Sequence, residues 1–250
     1  MRASALAALG LAAYSVFLVA TIPATFVAAQ VASAALGRIE ASDAQGTLWH
    51  GSARARVLPA RGGMTFDRVE WRFMPARLAS GEIAFAVKLA GSGLAGSLEA
   101  GRGVSQWRLR DVKLEADASA LAAWLPLIAT WRPSGRVTLE AAALAVEGRE
   151  VRGAADVEWR GAGTTLSEVR PLGSYRATWR AESGPGKLAV TTLQGPLRVT
   201  GQGTTTPALR VAFSGEARGE GESAKALEPL LDLMGPRRPD GARALELRLD

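Results

Sequence analysis

Few residues in this chain have the chemistry that catalysis needs. His50 is its one histidine, and cysteine is absent. A Ser-His-Asp triad would have to use His50, yet no Gly-x-Ser-x-Gly elbow exists to present a nucleophile. Thiol catalysis and thiolate metal cages are excluded, and a single histidine leaves scattered carboxylates as the remaining ligand type, so no metal or cofactor is expected. Gly91, Gly93 and Gly96 fit the dinucleotide pattern Gly-x-Gly-x-x-Gly. That pattern works by seating a pyrophosphate on a helix N-terminus. Ser97 to Gly103 instead add two glycines and no helical period, so the triplet reads as a flexible hairpin. Gly186-Lys187 lacks the Ser or Thr that completes a phosphate loop. Paired acids stay open: Glu140 and Glu158, if two strands bring them together, have the parts of a carboxylate hydrolase. Nothing else in the sequence selects them, and the chain reads as a non-enzyme.

The elements that would position such groups are strands. Val69, Trp71 and Phe73 alternate with Arg68, Glu70 and Arg72, and Ile83, Phe85, Val87 and Leu89 alternate with Glu82 and Lys88. A period of two marks half-buried strands. It recurs at Trp107 and Leu109, Val112 and Leu114, Val137 and Leu139, Leu144 and Val146, and Val157 and Trp159. In the second half it reappears at Tyr175 to Trp179, Leu188 and Val190, Leu197 and Val199, Leu209 to Phe213, and Leu245 to Leu249. The parity flip between Leu109 and Val112 predicts a bulge or sharp bend. Glycine numbers 28 in 250 residues and asparagine is missing, so glycine carries the turns. Five of the seven tryptophans precede arginine, at 71, 107, 131, 159 and 179. At strand positions this places the indole toward the core and the guanidinium toward water. Two short helices are expected: one from Ala120 to Leu125, capped by Asp117 or Ser119, and one from Ser223 to Met234, stopped by Gly235 and Pro236. Pro229 inside the second predicts a later start or a bend. Pro133 and Gly135 suggest a soft division near Trp131 to Gly135.

From Ala3 through Gly37 there is no Asp, Glu, Lys or Arg. A bilayer core of roughly 30 Å needs about 20 helical residues, which Leu6 to Val27 supplies. A cleaved secretory signal is the rival, with Arg2 as its positive start and Val27-Ala28-Ala29 as a cleavage site. Signal cores run to about 15 residues, and the longer stretch here favours an uncleaved anchor. Weak charge asymmetry orients the N-terminus to the cytoplasm. The expected organisation is residues 1–37 as cytoplasmic N-terminus and transmembrane anchor, and 38–250 as a β-rich domain outside. A cysteine-free body suits an oxidising compartment. The net charge of +6 comes from scattered arginines, with Arg237-Arg238 the one adjacent pair. No basic block marks a nucleic-acid site.

Certain runs resemble a known family. Gly46-Thr47-Leu48-Trp49-His50-Gly51-Ser52-Ala53 after an N-terminal span, then Trp71-Arg72-Phe73-Met74-Pro75 leading to Leu78, is similar to the opening of general secretion pathway protein N, a family of the type II secretion system. Pro171-Leu172-Gly173-Ser174-Tyr175 and the run from Gly195-Pro196-Leu197 through Gly201 to Gly203 resemble its two middle signatures. Phe213 to Ala217, before a Leu-rich helix ending at Gly235, resembles its C-terminal part. The resemblance implies no catalytic residue. It implies a single-pass inner-membrane protein, mostly periplasmic, that contacts other secretion subunits and assists export of folded proteins across the outer membrane. The alternative is an anchored β-groove that binds or conveys lipid. The fold expected is all-β, mainly antiparallel, a sandwich or a curved half-barrel sheet, with one N-terminal transmembrane helix and one or two short helices.

Overall fold

Alternating side chains of opposite polarity favour one broad sheet with two unlike faces, and the computed structural model is built that way. It describes residues 10, 14, 17–34, 38–58, 64–122, 129–206 and 210–249. A short helical run, Phe17 to Ala20, leads to α1 (Ala24–Ala34). The strands are β1 (Ile39–Gly46), β2 (His50–Val57), β3 (Met64–Phe73), β4 (Ile83–Gly91), β5 (Leu94–Arg102), β6 (Trp107–Asp117), β7 (Ser134–Glu147), β8 (Glu150–Gly163), β9 (Gly173–Ala181), β10 (Gly186–Gln194), β11 (Leu197–Thr205), β12 (Val211–Gly219) and β13 (Arg243–Leu249). Helices α2 (Ala118–Ala122) and α3 (Ala224–Met234) interrupt them, with 3-10 turns at Pro75–Ser80 and Gly221–Ser223.

All 13 strands form one antiparallel sheet in sequence order, each hydrogen-bonded to the next. Of the two architectures left open by periodicity, the sandwich is overturned: pairing runs unbroken from β1 to β13, and no second sheet packs on it among the described residues. Pairing also crosses the expected soft division, because β6 and β7 join directly from Trp107↔Val146 to Asp117↔Arg136.

Register puts Trp71 and Val87, Phe73 and Phe85, Leu114 and Leu139, Val157 and Ala177, and Phe213 and Leu247 opposite one another on one face. The other face carries Glu70, Lys88, Lys113, Glu140, Arg176 and Arg248. The parity flip foreseen after Leu109 is a bulge: two β6 residues, Asp111 and Val112, lie opposite Leu98, and Asp111 takes a φ of 47°. The Gly91, Gly93, Gly96 triplet is the β4–β5 hairpin, with Gly91 paired to Leu94.

The helices depart from expectation in detail. Helix α2 begins at Ala118, and residues 123–125 of the expected helix lie outside the described residues. Helix α3 runs from Ala224 with Pro229 inside it, so the later start is not found. Trp107 is 49% exposed, against the expectation of a core indole, and Arg102 stacks 5.4 Å from its ring.

Most of the anchor stretch before Phe17 lies outside the described residues. The described part of Leu6–Val27 is interrupted at Thr21–Pro23: Thr21 Oγ1 bonds back to the Phe17 carbonyl at 2.8 Å, and Pro23 bridges to Thr47. Pro23 cannot donate to a continuing helix. No helix among the described residues is long and apolar enough to cross a membrane.

Candidate functional site

Two places gather the residues singled out by sequence. The first is where the apolar N-terminal stretch meets the sheet. The turn between β1 and β2 reaches back to it: the Leu48 amide donates to the Ile22 carbonyl at 2.9 Å, and the Trp49 indole donates to the Val19 carbonyl at 2.9 Å. Val19 lies in the helical run and Ile22 just past its end at Ala20, where carbonyls no longer meet the amide four residues on. Trp71 fastens the same turn through its indole, 3.1 Å from the Leu48 carbonyl. Its ring lies across Gly51, where a Cβ would collide with it. Trp49 packs edge-on to Phe73 at 4.7 Å, and Phe73 meets Phe85 at 5.5 Å. The N-terminal stretch is thereby tied to an aromatic series on the apolar face.

The second is a cavity of about 380 Å³ on the apolar face, between β7–β11 and α3. Its floor includes Val157, Trp159, Tyr175, Ala177, Val190 and Val199. Leu230 and Met234 of α3 cover one side, and Trp131 with Pro133 another. Leu227, Leu230 and Leu231 anchor that helix in the main buried cluster with Leu172, Leu197 and Ala217. The polar groups of the wall are already paired: the Tyr175 hydroxyl donates to the Leu197 carbonyl at 3.0 Å, and Thr164 Oγ1 donates to the Trp131 carbonyl. Burial pushes the Tyr175 phenol upward, so it stays a neutral donor. A wall whose hydroxyls are spent on backbone carbonyls suits hydrocarbon rather than water.

Charges sit elsewhere. Glu82 is 1% exposed and is held by Arg110 and Arg108, and their hydrogen bonds bring its carboxyl down to about 2 against the cost of burial. Glu158 is bound by Arg176 and by Arg160, which also lower it. Glu140 and Glu158, the acid pair left open by the sequence, lie on one face of β7 and β8 but are diagonal rather than opposed. Glu140 is opposite Asp156 and Lys113, whereas Glu158 is opposite Thr138 and Arg176. The β7 bulge between Glu140 and Leu144 helps set this register. A hollow of about 750 Å³ near the last strand, on the polar face, is lined by Arg180, Lys187, Glu246 and Arg248 among others. On the apolar face Arg243, 4% exposed, donates to Glu228 at 2.8 Å and to Asp232, tying α3 to β13.

The structure separates the family-motif residues into these two places. Gly46, Leu48, Trp49, Gly51 and Trp71 gather where the N-terminal stretch meets the sheet. Leu172, Gly173, Tyr175, Gly195, Pro196 and Leu197 gather beside the cavity: the Leu197 amide donates to the Leu172 carbonyl at 3.0 Å, and Gly195 packs against Gly173. Pro171 precedes that strand, Pro75 opens a 3-10 turn away from both, and Gly201 lies in β11 beneath the Phe213 ring. Sequence reasoning placed Met234 on the apolar face of a helix without assigning it or Trp131 to a cavity wall, and it missed the roles of Glu82 and Arg243. Their partners lie far along the chain, and no local pattern points to them. No group of acids and His50 suited to a metal ion occurs among the described residues.

Neither a curated protein nor a solved structure matches the chain. The sequence profile described as type II secretion system (T2SS), protein N, matches residues 37–246. That match spans β1 through the first half of β13 and both motif clusters, and the chain belongs to the type II secretion system protein N family.

Proposed function

We propose that this component of the type II secretion system is a non-enzymatic inner-membrane subunit. Its N-terminus lies in the cytoplasm, its stretch 1–37 is a single-pass anchor, and its residues 38–250 stand in the periplasm, where they assist export of folded proteins across the outer membrane. The observation that carries the reading is the junction at Val19 to Pro23, because Trp49 and Leu48 bind its last carbonyls and fix the sheet to the apolar stretch. Tryptophan at that level is the residue a membrane–water boundary favours. The outer edge of β13 supports docking of another subunit by strand addition. It is held at Ala244 by Pro236, while Leu245 to Leu249 have no outer strand among the described residues. The charged hollow beside it, with Arg180, Lys187 and Arg248, suits an acidic partner segment.

In cells, photo-crosslinkers at Glu246 and Arg248 are expected to capture another secretion subunit, and deletion of the gene is expected to reduce secretion of type II substrates. Unchanged secretion of every substrate, with the other components intact, refutes the role. Removal of the N-terminal stretch from the mature protein refutes the anchor.

A further inference from the structure

We propose that the cavity under α3 holds one acyl chain of an anionic phospholipid drawn from the membrane in which the chain is anchored. This is independent of the docking role of β13 and assigns a ligand to a site that the secretion reading leaves without a use.

The volume of about 380 Å³ falls within the range of small-molecule sites. It exceeds by more than twofold the roughly 150 Å³ at which a purely apolar cavity stays dry and takes up benzene. Its wall offers a hydrocarbon two indoles, Trp131 and Trp159, and aliphatic contacts from Val157, Val190 and Leu230. The hydroxyls of Tyr175 and Thr164 are spent on backbone carbonyls. A polar ligand would therefore lose its water without compensation, whereas a chain of methylenes would not.

Charge near the rim indicates what the chain is attached to. Arg132, between the wall residues Trp131 and Pro133, is exposed, and its side chain has no partner among the described residues. Arg170, two residues before the wall residue Leu172, is exposed and binds only the Ser167 carbonyl. The loop contributes one acid, Glu168, which makes no ion pair. Elsewhere some arginines are matched to carboxylates, as at Glu82 and Glu158, and others such as Arg180 and Arg248 are not, so what distinguishes Arg132 and Arg170 is that their segments line the cavity. Two unmatched guanidiniums beside a greasy cavity complement a phosphate.

A route from the bilayer exists on the same face. The aromatic series Trp49, Phe73 and Phe85 starts at the anchor, and the apolar face continues through Leu98 and Leu114 to Val137 and Val157, at the cavity floor. An acyl chain moving along it exchanges one apolar surface for another at little cost.

The test uses the full chain reconstituted in vesicles of phosphatidylethanolamine and phosphatidylglycerol. A phosphatidylglycerol with a diazirine at the acyl terminus is the probe, and labelled peptides are mapped by mass spectrometry. Label is expected on β8–β11 and α3 as well as on the anchor. Ala177→Phe and Val190→Phe, which fill the cavity from its floor, are expected to lose the first and keep the second, with unchanged circular dichroism. Ala189→Phe, on the opposite face, is expected to keep both. Label confined to residues 1–37, or label on the sheet that survives both filling substitutions, overturns the proposal. So does labelling of the cavity by a diazirine fatty acid when the phospholipid probe gives none. Arg132→Glu combined with Arg170→Glu is expected to weaken labelling by the anionic probe, and equal labelling overturns the headgroup assignment.

Discussion

Replacing Glu82 by glutamine removes the most completely enclosed charge of the sheet while keeping its shape. Glu82 sits just before β4, and Arg108 and Arg110 reach it from β6, with β5 between them. The carboxyl is held at about 2 in the fold against its ordinary 4.5. A depression of that size contributes up to about 3 kcal/mol at neutral pH. Arg108 is 40% exposed and Arg110 21%, so solvent takes back part of it and about 2 kcal/mol is expected. For a chain of this length that corresponds to a fall in Tm of about 4 to 8 °C. The sign follows from the depressed value: the contribution is present above pH 4.5, and is lost as pH falls through about 2, below which the native carboxyl is neutral like the amide. Melting of the full chain in detergent micelles, followed by tryptophan fluorescence across this range, should therefore show a gap between wild type and E82Q at pH 7. The gap should narrow below pH 4.5 and close below about pH 2. Parallel pH profiles for the two proteins, or a neutral-pH gap under about 1 °C, would falsify the assignment of Glu82 as an ionised clamp.

Other changes probe the remaining contacts. Arg243→Met removes the ties to Glu228 and Asp232, which are already partly in water, at a cost of about 1 to 3 kcal/mol. It should speed amide exchange in Ala224–Met234 while β4–β6 keep their protection. Trp49→Phe keeps the ring packing against Phe73 and takes the donor from the Val19 carbonyl, so limited proteolysis should cut between Ile22 and Arg38 faster with the sheet intact. Equal cutting rates refute that tie. Gly201→Val drives a side chain into the space of the Phe213 ring and should destabilise by about 1 to 3 kcal/mol in a thermal melt. An unchanged Tm shows that the ring moves freely aside.

Strand existence and facing were legible because a period of two leaves a trace in any short window. Val69, Trp71 and Phe73 announce their face, and the parity slip after Leu109 announces the bulge at Asp111. What the window lacks is order among strands. Alternation at Val137 and Leu139 is the same whether the strand pairs within a sandwich or in a meander, so the unbroken sequence of 13 neighbours had to come from the structure. Register fails for the same reason. Glu140 and Glu158 look like partners, but pairing fixes Glu140 opposite Asp156. Glu82 and Arg243 are single charges next to glycine or alanine in sequence, and they acquire meaning only from partners at least 11 and as many as 28 residues away. The break at Thr21–Pro23 was present in the sequence as Pro23, and hydropathy overrode it.

The two faces of the sheet have opposite needs. On the polar face, Glu158 between Arg160 and Arg176, Arg198 with Glu220, and Arg218 with Asp240 keep charged groups matched and wet. Among the described residues the apolar face has a cover at its two ends, the N-terminal segment and α3, and between them Val87, Leu98 and Leu114 are half-buried. Apolar area left in water costs about 25 cal/mol per Å², and a sheet serving only as a spacer would gain by shielding it. Mutual cover of that kind is what a second sheet would provide, and the chain spends its strands on extending one sheet instead. The half-buried apolar face that the described residues leave between the N-terminal segment and α3 is thus a feature with a stability cost. An acyl chain or another subunit seated on that face offsets it.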